Sequence, residues 1–535
     1  MNNISVLDCT LRDGGRIINC NFSDSQISRI TYLLQEANID IIEVGFLRDW
    51  RNTEYNGNTT FFTNTKQIEP FLPSERKAMY VAFVDFGMFD FESLDKYNGK
   101  SIDGIRFGFT KRNLLDSKEE VIKCAKEIKG KGYKLFLQGV NSLNYSDLEF
   151  LELIKIVNEI EPYSFGIVDT YGAMYSDDIQ RLYALTDNNL KPNIAIDFHS
   201  HNNFQLSFSF AQEIIKLSNG VRNVIIDATL RGMGKGAGNT NIELVVDYLV
   251  RKKKCNYDLE KVLEIIDLEL YDIYISKQWG YSPATLMAGI YKSHPNNITY
   301  LLEKYRFSTN DIKNILSKLR NTERERYPYE KIDYLVEEYC YHDYNDSESL
   351  TKLRNMIDKR KVLVLAPGKS LLDNKKEIEL FINENNPWII SVNFVAEYDN
   401  SIPFFGNKKR YYTYCYACEN NVIVTSDIAS NNLNEIIVSA KRVCKYEKRN
   451  SYSSLFKLLN LLNNLKVKEI FIAGMDGVKE DCKDNYFDNS LNVERTREDY
   501  QVTNARWQQD FNEFIENKYE DCHIGFITPT FLTFN

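Results

Sequence analysis

The sequence lacks an excess of basic residues, and this limits the partners it can bind. Its 66 Lys and Arg against 75 Asp and Glu leave a net charge of −9, whereas nucleic-acid binding needs a basic face. No run of about 18 apolar residues is present that could span a membrane, and the N-terminus shows no secretion-signal pattern. We therefore expect a cytoplasmic protein that binds neither nucleic acid nor membrane.

The ten cysteines are scattered along the chain, and the simplest interpretation is reduced thiols. One CxxC pair occurs, Cys415 and Cys418. A structural zinc site needs a second pair at suitable spacing, and the sequence has none. We therefore interpret these two residues as ordinary strand or loop cysteines.

Short β-branched runs recur through the first half of the chain, and each is followed by a stretch with helical spacing. They lie at 4–10, 39–46, 79–85, 104–109, 134–140, 164–170, 195–201 and 223–230. Nearly continuous apolar runs are typical of parallel strands buried on both faces. Eight such units predict an α/β fold with a (β/α)₈ TIM barrel. An open doubly wound sheet is the competing interpretation, but the number of strands and the polar residues at their ends favour the barrel.

The rest of the chain predicts two further regions. We place the barrel at 1–255 and a helical extension that completes the active site at 256–345. A polar stretch predicts a linker at 346–360, and alternating strand and helix patterns predict a smaller Rossmann-like α/β domain at 361–535.

Candidate metal ligands lie at the ends of two predicted strands. His199 and His201, two of only five histidines, are two residues apart on the predicted seventh strand, so their side chains share a face. Asp13 follows the first strand, beside Arg12. One carboxylate and two imidazoles leave coordination positions open, which suits a catalytic site. The structural alternatives are polar residues that face water and a salt bridge in a turn.

A glycine-rich loop follows the eighth predicted strand. Gly232, Gly234, Gly236 and Gly238 alternate along it and precede Asn239. Such a loop lets the backbone approach a ligand closely and can present N–H groups to an anion. It matches neither the P-loop nor the dinucleotide-binding pattern.

Four motifs together resemble those of the DRE-TIM metallolyases. This family includes 4-hydroxy-2-oxo acid aldolases, hydroxymethylglutaryl-CoA lyase and the isopropylmalate and citramalate synthases. The resemblance covers about residues 4–300, and its motifs are LDCTLRDGG (7–15), VDTYGAM (168–174), FHSHNN (198–203) and GMGKGAGN (232–239).

The resemblance implies roles for individual residues. Asp13, His199 and His201 would bind a divalent metal, Mn²⁺ or Mg²⁺ first and Zn²⁺ or Co²⁺ as alternatives, and Asn239 matches a further ligand of some members. Arg12 would stabilise the enolate oxygen.

Further positions match the aldolases within the family. Gly14 and Gly15 resemble the 4-hydroxy-2-oxovalerate aldolase type, and Tyr291 matches a tyrosine that helps to move the substrate hydroxyl proton. The remaining candidate substrate-binding residues are Arg16, Asp169, Thr170, Gly236 and Gly238.

Arg16 departs from the aldolase pattern. It stands where the aldolases carry an acid/base histidine, and an arginine cannot be deprotonated in a protein. The proton carrier must then be Tyr291, a metal-bound water or the substrate itself. Arg16 would hold a carboxylate or phosphate of the substrate, or be a surface arginine.

These observations predict a metal-dependent carbon–carbon lyase that joins or releases a pyruvate enolate and a polar aldehyde, in a biosynthetic pathway and as a homo-oligomer. A Claisen-type acyl-CoA condensing enzyme and a catalytically inactive binding scaffold are the alternatives. The last domain faintly resembles sialyltransferase-type nucleotide-sugar enzymes, which implies a nucleotide or nucleotide-sugar ligand near Pro367, Gly368 and Ser370. The alternative role for this domain is regulation or assembly.

Overall fold

The computed structural model describes residues 3–305, 307–340, 343–399, 401–414, 421–430, 434–444, 453–479, 485–488 and 497–534. It divides into two compact units, Met1–Tyr329 and Glu330–Asn535. Cys415 and Cys418 lie outside the described residues. Within the described part of the chain, no helix combines the length and apolar character needed to cross a bilayer.

The first unit is built on a closed parallel barrel, which confirms the predicted fold. Strand β1 pairs with both β2 and β9, so the sheet has no free edge at the point of closure. The short β3 (Phe61–Phe62) extends from β2 outside the ring. The barrel strands are β1 (Ile4–Asp8), β2 (Ile41–Leu47), β4 (Met79–Asp85), β5 (Gly104–Thr110), β6 (Lys134–Val140), β7 (Ser164–Asp169), β8 (Ala195–Ser200) and β9 (Val224–Ala228).

Amphipathic helices cover the outside of the barrel. The first begins at a capping box, in which the Ser23 hydroxyl accepts from the Gln26 backbone and the Gln26 side chain accepts from the Ser23 backbone. Its residues Ile27, Ile30 and Leu34 are buried in the core against the strands. The barrel helices are α1 (Asp24–Glu36), α2 (Lys111–Gly130), α3 (Asp147–Ile160), α4 (Ser176–Asn189), α5 (Ser207–Leu217) and α6 (Ile242–Lys253).

A helical extension follows the barrel within the same unit, in agreement with the predicted helical character. It includes a short π-helical segment at Ile266–Leu270. Its α-helices are α7 (Leu259–Ile265), α8 (Tyr271–Ser276), α9 (Pro283–Ile290), α10 (Pro295–Tyr305), α11 (Thr309–Lys318) and α12 (Asn321–Arg324). The division between units falls at Tyr329, earlier than the boundary expected near 345.

The stretch expected to be a linker, 346–360, is largely helical. After α13 (Tyr329–Cys340), helix α14 spans Ser347–Ile357. Its Leu350, Leu353 and Ile357 are buried in the core of the second unit. The many polar residues of this stretch suggested a linker. Its apolar residues, however, recur at helical spacing and form the buried face of an amphipathic helix.

The second unit contains a parallel sheet with the order β14-β13-β12-β11-β10-β15-β16, which confirms the predicted α/β layer. Its strands are β10 (Val362–Leu365), β11 (Trp388–Val392), β12 (Ser401–Phe405), β13 (Val422–Thr425), β14 (Glu435–Val438), β15 (Glu469–Ala473) and β16 (His523–Phe526). Its further helices are α15 (Ser370–Asp373), α16 (Lys375–Asn385), α17 (Lys408–Tyr414), α18 (Ala440–Val443), α19 (Ser454–Asn464) and α20 (Arg497–Asn517).

Candidate active site

A cavity of about 410 Å³ lies at the carboxyl ends of the barrel strands. Arg12 and Asp13 reach it from the loop after β1, Phe83 from β4, and His199 and His201 from the end of β8. Active sites of TIM barrels lie at this end because the loops after the strands converge there. The cavity is therefore the candidate active site.

Asp13, His199 and His201 converge in this cavity. Each offers one ligand atom, and these atoms all lie within 4.8 Å of one another. The two imidazole rings are 5.2 Å apart between centroids, and His201 Nε2 lies 3.7 Å from Asp13 Oδ2. Alternation along β8 places both imidazoles on the face that borders the cavity.

The hydrogen bonds of the histidines leave one nitrogen of each available to a metal. His199 Nδ1 lies 3.0 Å from a carboxylate oxygen of Asp227, and His201 Nδ1 lies 3.2 Å from the Gly238 carbonyl oxygen. Carbonyl oxygens only accept, and an ionised carboxylate does the same, so each Nδ1 carries the proton and each Nε2 keeps its lone pair. Burial lowers the pKa of both histidines to about 4, so both are neutral at pH 7.

Asp13 is held in its ionised form. Burial opposes ionisation, but Arg12 and the neighbouring histidines lower the pKa of Asp13 well below its usual range. The Asn239 side-chain amide donates to Asp13 Oδ2 at 3.0 Å and to the Met233 carbonyl at 2.9 Å. Asn239 Oδ1 is buried and has no hydrogen-bond partner among the described residues. Two neutral imidazoles, an ionised carboxylate and an unpartnered amide oxygen fit a divalent metal ion.

Arg12 is fixed beside this cluster. Its Nε donates to Glu43 Oε2 at 2.6 Å and its Nη1 to Asp13 Oδ1 at 2.6 Å. The guanidinium lies over the Phe83 ring, 4.4 Å from the centroid. Within the described part of the chain, Nη2 makes no hydrogen bond to protein, so it is available to a ligand in the cavity.

A network of buried charged residues lies inside the barrel, next to the candidate site. Arg106 is only 1% exposed, and its guanidinium contacts Glu43 at 3.2 Å, Asp197 at 3.2 Å and Asp227 at 2.5 Å. Burial and the Asp227 charge raise the pKa of Asp197 to about 7. Sequence reasoning missed this network. The sequence feature that could have indicated the network is a single charged residue within each of four otherwise apolar strands.

Of three candidate substrate-binding residues of the barrel, two border the cavity and one does not. Arg16 and Thr170 border the cavity. Asp169 is buried instead, and its carboxylate accepts from the backbone N–H groups of Ala173 at 2.8 Å and Met174 at 3.3 Å. Asp169 therefore shapes the loop after β7 and does not face the cavity.

The glycine loop was predicted to bring its backbone close to a ligand, but the backbone of Gly238 packs against Gly232 and His201 instead. Gly238 has a φ of 80°, and a Cβ there would lie 2.1 Å from the Gly232 carbonyl oxygen. Its own carbonyl accepts from His201. Neither Gly238 nor Gly236 is among the residues that line the cavity, whereas Lys235, which directly precedes Gly236, is.

Tyr291 is not among the residues that line the cavity. Its ring lies against Arg324, whose Cζ is 5.1 Å from the ring centroid. The same segment instead contributes His294 and, further along, Tyr327 to the cavity wall. Tyr291 is the C-cap residue that follows α9, and His294 lies in the short connection between α9 and α10.

Comparison with known proteins agrees with this geometry. A family model described as HMGL-like matches residues 3–268. The barrel belongs to the HMGL-like family. This confirms the predicted relationship to the DRE-TIM metallolyases and the predicted class of enzyme, a carbon–carbon lyase.

The HMGL-like barrel is similar to several proteins named 4-hydroxy-2-oxovalerate aldolase. The one from Geobacillus genomosp. 3 is 29% identical over 249 residues, which are 46% of this chain and 71% of the relative. The one from Pelotomaculum thermopropionicum is 27% identical over 265 residues, 49% of this chain and 74% of the relative. The one from Carboxydothermus hydrogenoformans is 24% identical over 329 residues, 59% of this chain and 92% of the relative.

The second unit lies beyond the HMGL-like match and has a candidate site of its own. Gly368 follows β10, and a Cβ there would lie 2.2 Å from the Gly474 carbonyl oxygen. The Ser370 N–H donates to Asp476 Oδ2 at 2.7 Å, and its hydroxyl donates to Asp476 Oδ1 and lies 3.0 Å from Thr528 Oγ1. The loop that carries Pro367 is thus held tightly to the loop after β15.

Proposed function

We propose that the barrel catalyses the reversible aldol cleavage of a 4-hydroxy-2-oxo acid into pyruvate and an aldehyde. Asp13, His199 and His201 would hold the divalent ion, Mn²⁺ or Mg²⁺, on which the reaction depends. The observation that carries the proposal is the convergence of two imidazole lone pairs and one ionised carboxylate beside the Nη2 of Arg12 in a cavity. A divalent ion bound there would act as a Lewis acid on the 2-oxo group.

Arg12 would stabilise the charge that develops on the substrate. When the C3–C4 bond breaks, its electron pair moves into the enolate of pyruvate, and the C4 hydroxyl loses its proton to become the aldehyde. The Arg12 guanidinium is already oriented by Glu43 and Asp13, so Nη2 can donate to the enolate oxygen without reorganisation. Solvent water would take the proton from the C4 hydroxyl and return a proton to C3, so that the products are a neutral aldehyde group and pyruvate.

His294 borders the cavity, whereas Tyr291 does not. The Asn296 N–H donates to His294 Nδ1 at 3.1 Å, so the proton of the neutral ring is on Nε2. Burial, Lys235 and Arg16 lower the pKa of His294 to about 4. We assign His294 the role of a neutral donor to the oxygen at C4, which would polarise the aldehyde in the condensation direction.

The test is pyruvate release from a panel of 4-hydroxy-2-oxo acids, measured by a coupled dehydrogenase assay. We expect release with Mn²⁺ and loss of release after EDTA treatment, with recovery when Mn²⁺ is restored. Release of free thiol from acyl-CoA with a 2-oxo acid would instead indicate a Claisen-type enzyme. A protein that retains no divalent metal and cleaves no substrate would indicate an inactive scaffold.

For the second unit we propose a small-ligand site, with a nucleotide or nucleotide-sugar as the ligand. In open α/β sheets, ligands bind at the carboxyl ends of strands where the strand order reverses. Here the chain runs from β10 towards β14 on one side and returns to β15 on the other. Gly368 and Ser370 lie in the loop at that point.

Calorimetric titration with CMP, UDP and ATP tests this second proposal. We expect one of them to bind and Ser370→Ala to weaken it. Absence of binding by all three would contradict a nucleotide site.

A further inference from the structure

Lys235 is a cation that the proposed reaction leaves without a role. Its side chain is part-buried and borders the cavity. Its Nζ donates to the Asn296 side-chain oxygen at 2.9 Å, and none of the ion pairs among the described residues includes it. Burial and the nearby Arg16 lower the pKa of Lys235. An ammonium group without a carboxylate partner is costly to bury.

Arg16 is a second cation on the same side of the cavity, and its carboxylate partners are shared. Its Nε lies 3.3 Å from Asp13, which also pairs with Arg12 at 2.6 Å. Its Nη2 lies 3.8 Å from Asp85, which Arg48 contacts more closely at 2.9 Å. Arg16 is therefore only partly neutralised.

Three acidic residues border the cavity, Asp13, Asp85 and Glu325, and the first two pair closely with Arg12 and Arg48. Glu325 borders the cavity, but its Oε1 accepts from the Asn144 amide at 2.7 Å. Its charge acts on Tyr171, whereas the charges that act on Lys235 are those of Arg16, Asp13 and Cys20. The loops after β1 and β9 thus bring Arg16 and Lys235 to one side of the cavity, where the carboxylates near Arg16 are shared with Arg12 and Arg48 and no ion pair among the described residues includes Lys235. We call this the cationic side.

We propose that Lys235 and Arg16 bind an anionic group, a carboxylate or a phosphate, on the aldehyde half of the substrate. The substrate would then carry one anion at the metal end and another at this cationic side. Lysine and arginine together bind such groups through charge-assisted hydrogen bonds. The inference rests on the proposed aldol reaction, whose metal site fixes the position of the other half of the substrate.

Non-cleavable 2-oxo acids test the site by binding alone. The probes are 2-oxoglutarate, its phosphonate counterpart 2-oxo-4-phosphonobutanoate, and 5-methyl-2-oxohexanoate, in which a neutral isopropyl group replaces the distal carboxylate. Each is titrated calorimetrically into the Mn²⁺-loaded full chain. We expect one of the two dianions to bind about 10-fold more tightly than the neutral-tailed acid, because hydrogen bonds to charged groups are the stronger ones. The tighter of the two identifies carboxylate or phosphate.

Variants test whether Lys235 is responsible for the preference for dianions. Lys235→Gln should abolish the preference for the dianion while the neutral-tailed acid binds as before, and Lys235→Arg should retain most of it. Lys216→Gln is the matched control, since Lys216 is exposed on α5 and is not among the residues that line the cavity. A wild-type protein without preference, or a preference that survives in Lys235→Gln, would overturn the inference.

Failure of the inference and failure of the proposed reaction give different results. Dianion preference without cleavage of any 4-hydroxy-2-oxo acid would contradict the aldol reaction and leave the anion site standing. Cleavage of substrates with neutral aldehyde halves, together with equal binding of all three probes, would contradict the anion site and leave the reaction standing.

Discussion

Replacement of Asp227 by asparagine should weaken metal binding without removing any metal ligand. Asp227 Oδ2 lies 3.0 Å from His199 Nδ1 and so directs the lone pair of Nε2 to the metal position. Loss of such a supporting carboxylate commonly costs 10- to 100-fold in metal affinity. That range corresponds to about 1.4–2.8 kcal/mol of binding free energy. We therefore expect Asp227→Asn to bind Mn²⁺ 10- to 100-fold more weakly, as measured by calorimetric titration of the metal-free protein.

Asp197→Asn is the matched control for this experiment. Asp197 and Asp227 both contact the same guanidinium of Arg106, at 3.2 Å and 2.5 Å, but only Asp227 contacts His199. If the loss of affinity came from a disturbed Arg106 network, both variants would show it. We expect Asp197→Asn to bind Mn²⁺ within about threefold of wild type, well under the roughly 10-fold loss expected when a carboxylate that orients a metal-binding histidine is removed.

The folding stability of both variants is measured in parallel by urea denaturation of the metal-free protein. This separates a local effect on His199 from partial unfolding of the barrel. Unchanged Mn²⁺ affinity in Asp227→Asn, in a protein that remains folded, would refute the argument that Asp227 orients His199. Equal losses in both variants would place the effect in the Arg106 network instead.

Three further results are expected. Asp13→Ala should lose bound metal and all pyruvate release while remaining folded, as elemental analysis and circular dichroism would show; full metal occupancy would remove Asp13 from the ligand set. Arg12→Lys should bind Mn²⁺ normally but lose on the order of 10²–10³ in kcat, because an ammonium cannot replace the forked contacts to Glu43 and Asp13; near-normal kcat would contradict the enolate role. Mn²⁺ affinity should change little between about pH 8 and pH 5.5, because the pKa values of His199 and His201 are lowered to about 4 and protons compete only below that range; a steady fall in affinity from pH 7 would indicate ordinary imidazoles, with pKa near 6.5.

The barrel and the candidate metal ligands could be predicted from local sequence patterns. Each strand appears as a short apolar run, and burial on both faces of a parallel sheet requires only that run. The two histidines lie two residues apart at the end of β8 and directly after it, so the period of the extended chain places them on one face. Asp13 could be added because loops after the strands of a barrel meet at one end.

Other parts of the site depend on contacts between residues far apart in the sequence. Arg106 meets Glu43, Asp197 and Asp227 only because the closed barrel aligns four strands in register. Each of these residues, taken alone, is a charged residue in an apolar run. Strand periodicity could not predict this pairing. It indicates the face on which a side chain lies, but not the residue that the side chain contacts across the barrel.

The helical extension after the barrel shows a similar limit of prediction from the sequence. The sequence by itself determined that the segment around Tyr291 is helical, because helical periodicity is local. Only the tertiary structure decided that His294, three residues later, borders the cavity while Tyr291 packs on Arg324. It likewise decided that Lys235 in the glycine loop borders the cavity without a carboxylate partner. The physical reason is that the direction of a side chain in a loop or at a helix end is set by packing against distant segments, whereas helix and strand periods arise from the backbone of adjacent residues.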